Sequence, residues 1–104
     1  MEKIIRDGQV AVLYSPGFGA GWYTWNYNFP QCLFDPEIVR MVEKETDAYE
    51  IAQFAESKYG EEFYSGGAED LVIVYLPEGT EFIINEYDGS ESIHLKEHMT
   101  WMVA

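Results

Sequence analysis

Cysteine is nearly missing from this chain, and basic residues are scarce. A single Cys32 among 104 residues excludes an internal disulfide framework and a cysteine-built zinc cluster. It also makes a reducing, intracellular setting the simpler expectation. Six lysines and arginines stand against nineteen acids, for a net charge of −13. The field of such a chain repels phosphates, which argues against direct contact with DNA, RNA or an anionic lipid surface. No apolar run reaches the length of about 20 residues needed to span a bilayer, so no membrane segment is expected. Charges at Glu2, Lys3, Arg6 and Asp7 interrupt the N-terminus where a signal peptide would be apolar.

Catalytic equipment is equally thin. The two histidines, His94 and His98, are four apart across the end of an expected strand, which is not the helical spacing of a metal pair. Cys32 has no base nearby in the pattern and reads as a core residue. Ser65, Ser90 and Ser92 have no evident Ser-His-Asp setting. No catalytic residue, metal ligand or cofactor is therefore assigned.

What is present suffices for one core. Apolar residues make up 47% of the chain and aromatics 16%, enough to fold residues 1–104 as a single domain. The charge is unevenly spread. Residues 8–34 carry none, yet hold Tyr14, Phe18, Trp22, Tyr23, Trp25, Tyr27, Phe29 and Phe34, whereas most of the acids lie beyond residue 40. Acidity of this kind fits plain solubility, a basic protein partner, or mimicry of nucleic acid.

The pattern predicts an α+β fold. Asp7-Gly8 between Ile4-Ile5-Arg6 and Gln9 to Tyr14 reads as a tight N-terminal hairpin. Asp35-Pro36-Glu37 opens a helix whose Ile38, Met41 and Val42 share a face. Asp47 opens a second, with Glu50 at capping-box spacing and Gly60 as its stop. Leu71 to Leu76, Glu81 to Tyr87 and Ser90 to Leu95 then read as a C-terminal antiparallel meander, turning at Pro77 to Thr80 and at Asp88-Gly89. A further strand is expected over Met99 to Val103, and the helices should pack on one face of the sheet. A two-residue turn at Asp88-Gly89 sets Glu86 opposite Glu91 and Ile84 opposite Ile93; both glutamates are expected to splay into solvent.

The odd part of the chain is Ser15-Pro16-Gly17-Phe18-Gly19-Ala20-Gly21-Trp22-Tyr23-Thr24-Trp25-Asn26. Its glycines follow a strand, but no helix and no βαβ unit follow them, so it is neither a dinucleotide fingerprint nor a phosphate loop. Glycines permit close backbone approach, and their N–H groups can line an anion-binding concavity. If the segment is extended, Tyr23, Trp25 and Tyr27 share one side, a platform for a flat ligand. The competing expectation is that these rings form core. Asn26 and Asn28 read as turn formers, and Glu69 and Asp70 as solvating a strand entrance.

That stretch, with Gly66-Gly67-Ala68-Glu69-Asp70-Leu71, Leu76-Pro77-Glu78-Gly79-Thr80 and Glu86-Tyr87-Asp88-Gly89-Ser90-Glu91, resembles a small uncharacterised protein family of bacteriophages and prophages. The resemblance implies no activity and no site residues, only a setting: an accessory protein in a bacterial cytoplasm. By analogy with small phage proteins, the expected function is non-enzymatic sequestration of a flat, nucleotide-derived host immune signal. Phe18, Gly19, Gly21, Trp22, Tyr23, Trp25 and Asn26 would hold it, with Arg6 or Arg40 meeting a phosphate, and an oligomer could enlarge the pocket. Two alternatives stand beside it: an acidic inhibitor or nucleic-acid-mimicking decoy of a host protein, and a small hydrolase of the same signals.

Overall fold

The computed structural model describes residues 1–96 and 103–104. His98, and all of the strand expected over Met99 to Val103 but its last residue, lie outside the described residues. Within it the chain is α+β, in the expected order. Strands β1 (Ile5–Arg6) and β2 (Gln9–Tyr14) form the hairpin, helices α1 (Pro36–Glu43) and α2 (Ala48–Tyr59) follow, and β3 (Val72–Pro77), β4 (Phe82–Tyr87) and β5 (Ser90–Leu95) complete it. Single 3-10 turns occupy Tyr23–Trp25, Pro30–Leu33 and Gly66–Asp70.

Local chemistry accounts for the boundaries. Asp7 and Gly8, and again Asp88 and Gly89, all have positive φ, the geometry of the tight turn whose twist matches its strands. The Asp35 side chain accepts from the N–H groups of Glu37 and Ile38, and Asp47 accepts from that of Tyr49, so both helices begin at side-chain caps. Gly60 ends α2 at φ 97°.

Pairing departs from a simple meander. The C-terminal strands are antiparallel, but β3 returns to pair with β2, giving a sheet ordered β1-β2-β3, while β4 and β5 pair only with each other. Burial explains the division. Ala11 and Leu13 of β2 face a core with Trp22, Ile38, Val39, Ile51, Ala55 and Phe63. Val10 and Val12 face a second core with Leu33, Leu76, Phe82, Ile84, Ile93 and Leu95. The helices thus cover one face of the sheet and the β4–β5 hairpin covers the other. A β4 continuing the sheet beside β3 would leave Val10 and Val12 without that cover.

Candidate functional site

The glycine- and aromatic-rich segment leaves the end of β2 and is fastened at once to the β4–β5 turn. Ser15 O accepts from Glu91 N–H at 2.8 Å, Gly19 N–H donates to Asp88 O at 3.0 Å, and Ser90 Oγ–H donates to Pro16 O at 2.6 Å. Close approach requires the glycines. A Cβ on Gly67 would lie 2.6 Å from Gly21 O, and one on Gly89, which has φ 83°, would collide with the backbone of Gly19 and Ala20. Three of the four sequence stretches singled out above therefore meet at one place.

At its centre is Glu91, 1% exposed. Its Oε1 accepts from Ser15 N–H at 2.8 Å. Its Oε2 accepts from Trp22 N–H at 2.9 Å, Thr24 N–H at 2.9 Å and Thr24 Oγ–H at 2.7 Å. Every group around it donates, so both carboxylate oxygens are satisfied without a cation. The register of Glu86 opposite Glu91 and Ile84 opposite Ile93 is as expected, but Glu91 does not splay into solvent. The strand pleat aims it inward with Ile93 and Leu95, while the exposed Glu86 folds back to accept from Gly89 N–H at 2.7 Å. Sequence reasoning missed Glu91 because an acid beside a turn is ordinarily exposed. The four serine, tryptophan and threonine groups that hold it come from 67 to 76 residues away.

The proposed ligand contacts separate into three groups. Trp22 is fully buried, its indole N–H donating to Cys32 O at 2.9 Å and its ring edge-on to Phe63 at 5.1 Å; it is core. Asn26 is also buried. Its Nδ2 donates to Trp22 O at 2.6 Å and Tyr64 O at 2.9 Å, and its Oδ1 accepts from Tyr64 N–H at 2.8 Å. It brackets two loops, and both of its amide hydrogens are engaged within the protein. Gly21 is buried against Thr24 and Trp25, and the Gly19 N–H, one of the donors expected to meet an anion, is already given to Asp88 O.

The two arginines do not join the segment. Arg6 reaches Glu43 through Nε and Nη2, both at 2.8 Å, and Tyr75 Oη–H donates to the same carboxylate at 2.6 Å. Hydrogen bonds from Arg6 and Tyr75 hold Glu43 down at about 2. Arg40 lies elsewhere, in a cleft of about 370 Å³ with Gln31, Glu37, Lys58 and Tyr59. Beneath that cleft the buried Asp35 accepts from Tyr59 Oη–H and pairs with Lys58 at 2.9 Å. Burial would raise the Asp35 carboxyl, but the Tyr59, Lys58 and Ile38 N–H bonds outweigh it and hold it below the usual range.

The third group is exposed. Trp25 is 40% exposed, Tyr27 63% and Phe18 73%. Tyr23, half-buried, stands edge-on to Tyr27 at 5.1 Å, and Trp25 tilts against the exposed Tyr64 at 5.1 Å. Tyr23, Trp25 and Tyr27 do not share one side of an extended strand, because residues 23–25 form a 3-10 turn. Trp25 at the end of that turn and Tyr27 just beyond it instead line a depression of about 320 Å³, together with Asn28, Phe29 and Glu62.

A larger cleft, about 730 Å³, lies elsewhere, between the sheet and the hairpin. It is lined by Tyr14, Val74, Leu76, Ile93, Ser92 and His94, among others. His94 is exposed opposite Ile83, its Nε2 3.0 Å from Ser92 Oγ. Cys32 is buried, and burial, with Glu91 and Asp35 nearby, pushes its thiol well above the ordinary range, which makes it inert. Among the described residues no group of three His, Cys, Asp or Glu side chains is placed to hold a metal, and no helix is long and apolar enough to cross a membrane. No protein-family model matches the chain, and no curated protein and no solved structure matches it.

Proposed function

We propose that this chain is a non-enzymatic binding protein that occupies a basic protein partner, in the phage-infected bacterial cell that the sequence resemblance implies. The observation that supports it is the exposure of Trp25, Tyr27 and Tyr64 on loops pinned from below by Glu91 and Asn26, in a chain of net charge −13. Aromatic side chains held rigid at a surface are the usual anchors of protein interfaces, and the acidic field steers a basic partner toward them. Phosphate recognition has less support, because Arg6 is committed to Glu43 and Arg40 lies in another cleft.

The test is capture from host lysate, with retained proteins identified by mass spectrometry. The wild-type chain should retain a basic protein at low salt, release it at about 0.5 M salt, and fail to retain it as Trp25→Ala. Retention that is indifferent to both salt and Trp25 would defeat the reading. Sequestration of a small flat molecule stands as a second reading, favoured by the cleft of about 730 Å³ between sheet and hairpin, a volume suited to such ligands. Denaturing the protein purified from infected cells and assaying the supernatant by mass spectrometry separates intact ligand, hydrolysed product and neither.

A further inference from the structure

The depression beside Trp25 has a composition that selects its occupant. Its lining includes the aromatic residues Trp25, Tyr27 and Phe29 and the acidic Glu62, and no lysine or arginine contributes to it. Among the described residues Glu62 accepts no side-chain hydrogen bond and joins no ion pair. Aromatic faces attract cations through their quadrupoles, and a carboxylate at the rim adds directional acceptors. A phosphate or other anion would meet the acidic Glu62 and no basic side chain there.

The walls are also formed in advance. Trp25 leans on Tyr64 and Tyr27 on Tyr23. Phe29 is wedged between Tyr59 and Phe63, with centroids 5.7 and 5.6 Å away, and Asn26 ties the turn to Tyr64. A rigid receptor loses little entropy on binding. Its volume of about 320 Å³ lies at the low end of the range of about 300–1,000 Å³ for small-molecule sites, which suits one side chain better than a nucleotide.

We infer that this depression receives one cationic side chain of the partner, and that the side chain is arginine. The planar guanidinium stacks on aromatic rings, presents paired donors to a carboxylate and is more weakly hydrated than an ammonium. The inference rests on the binding-protein reading above and specifies which chemistry enters the surface.

The test is an NMR titration of the full chain with N-acetyl-arginine methylamide, its lysine analogue, and the neutral, nearly isosteric citrulline analogue. Arginine should give saturable shifts at the Trp25 indole N–H and over residues 24–29 and 62, with half-saturation on the order of 10 mM. Lysine should bind about threefold more weakly, and citrulline without saturation. Glu62→Gln should weaken arginine about three- to fivefold, with resonances away from the depression unchanged, and Trp25→Ala should abolish the shifts. Citrulline binding as well as arginine, shifts centred on another surface, or no saturable shift by about 100 mM arginine analogue would each overturn it. The two proposals fail separately. A Trp25-dependent capture of a basic partner that is indifferent to Glu62→Gln sinks the arginine receptor alone. Arginine binding without any captured partner sinks the partner reading alone.

Discussion

Glu91 and Thr24 form the smallest unit on which the surface depends. Replacing Glu91 by alanine strands the N–H groups of Ser15, Trp22 and Thr24 in a buried site, and each orphaned donor costs about 1–3 kcal/mol. Glu91→Ala should therefore lower the unfolding free energy by about 3–5 kcal/mol, measured by urea denaturation. Glu91→Gln, which still offers one acceptor oxygen, should cost about half as much. The two neighbouring tryptophans should behave oppositely. Trp22→Ala opens a cavity in the core and should cost about 3–5 kcal/mol, or prevent folding. Trp25→Ala, removing a ring already 40% exposed, should change stability by no more than about 1 kcal/mol. Equal costs would mean that the assignment of one ring to core and the other to surface is wrong. Sequence pattern could not tell these rings apart, since they lie three positions apart in the same uncharged run; the 3-10 turn at Tyr23–Trp25 separates them.

Among elements, the helices and hairpin turns were the most legible because their signals are local. Asp35, Asp47 and Gly60 cap helices from adjacent positions, and both Asp-Gly pairs take the backbone geometry that their residue types favour. Asp35 also carries a long-range load, through Lys58 and Tyr59 of α2. Its folded carboxyl is held below the usual range, and that of Glu43 is held at about 2 against an ordinary 4.5. A depressed folded value contributes stability that is full above the unfolded value and lost as pH falls through the folded one. Urea midpoints should accordingly be level above about pH 5 and decline toward pH 2. Asp35→Asn and Glu43→Gln should each flatten the decline, because each removes a carboxyl whose folded value is depressed. Glycine spacing was legible as unusual but not in purpose. Gly67→Ala should destabilise by about 1–3 kcal/mol through its clash with Gly21 O.

At the scale of the molecule, hairpin, sheet and helices form three layers, with β2 buried from both sides. A net charge of −13 sets the layers against one another through self-repulsion. Raising salt from about 20 mM to about 300 mM should screen that repulsion and raise the thermal midpoint by a few degrees, even as it weakens a complex with a basic partner. A midpoint that falls with salt would show that specific ion pairs outweigh the net field.

The class of fold, the order of elements, the helix caps, the tight turns and the register of the last hairpin were all legible in the order of the amino acids. Each depends on residues close together in the chain, or on the period-two alternation of a strand. Long-range packing settled the rest: β3 joins β2 while β4 and β5 cross to the opposite face, Glu91 is an internal pin, and Arg6 and Arg40 lie apart from the aromatic loop. Those outcomes depend on which distant surfaces bury one another. An acid is placed inside only where a distant loop supplies its donors, and an arginine is drawn to whichever carboxylate the packing brings within reach.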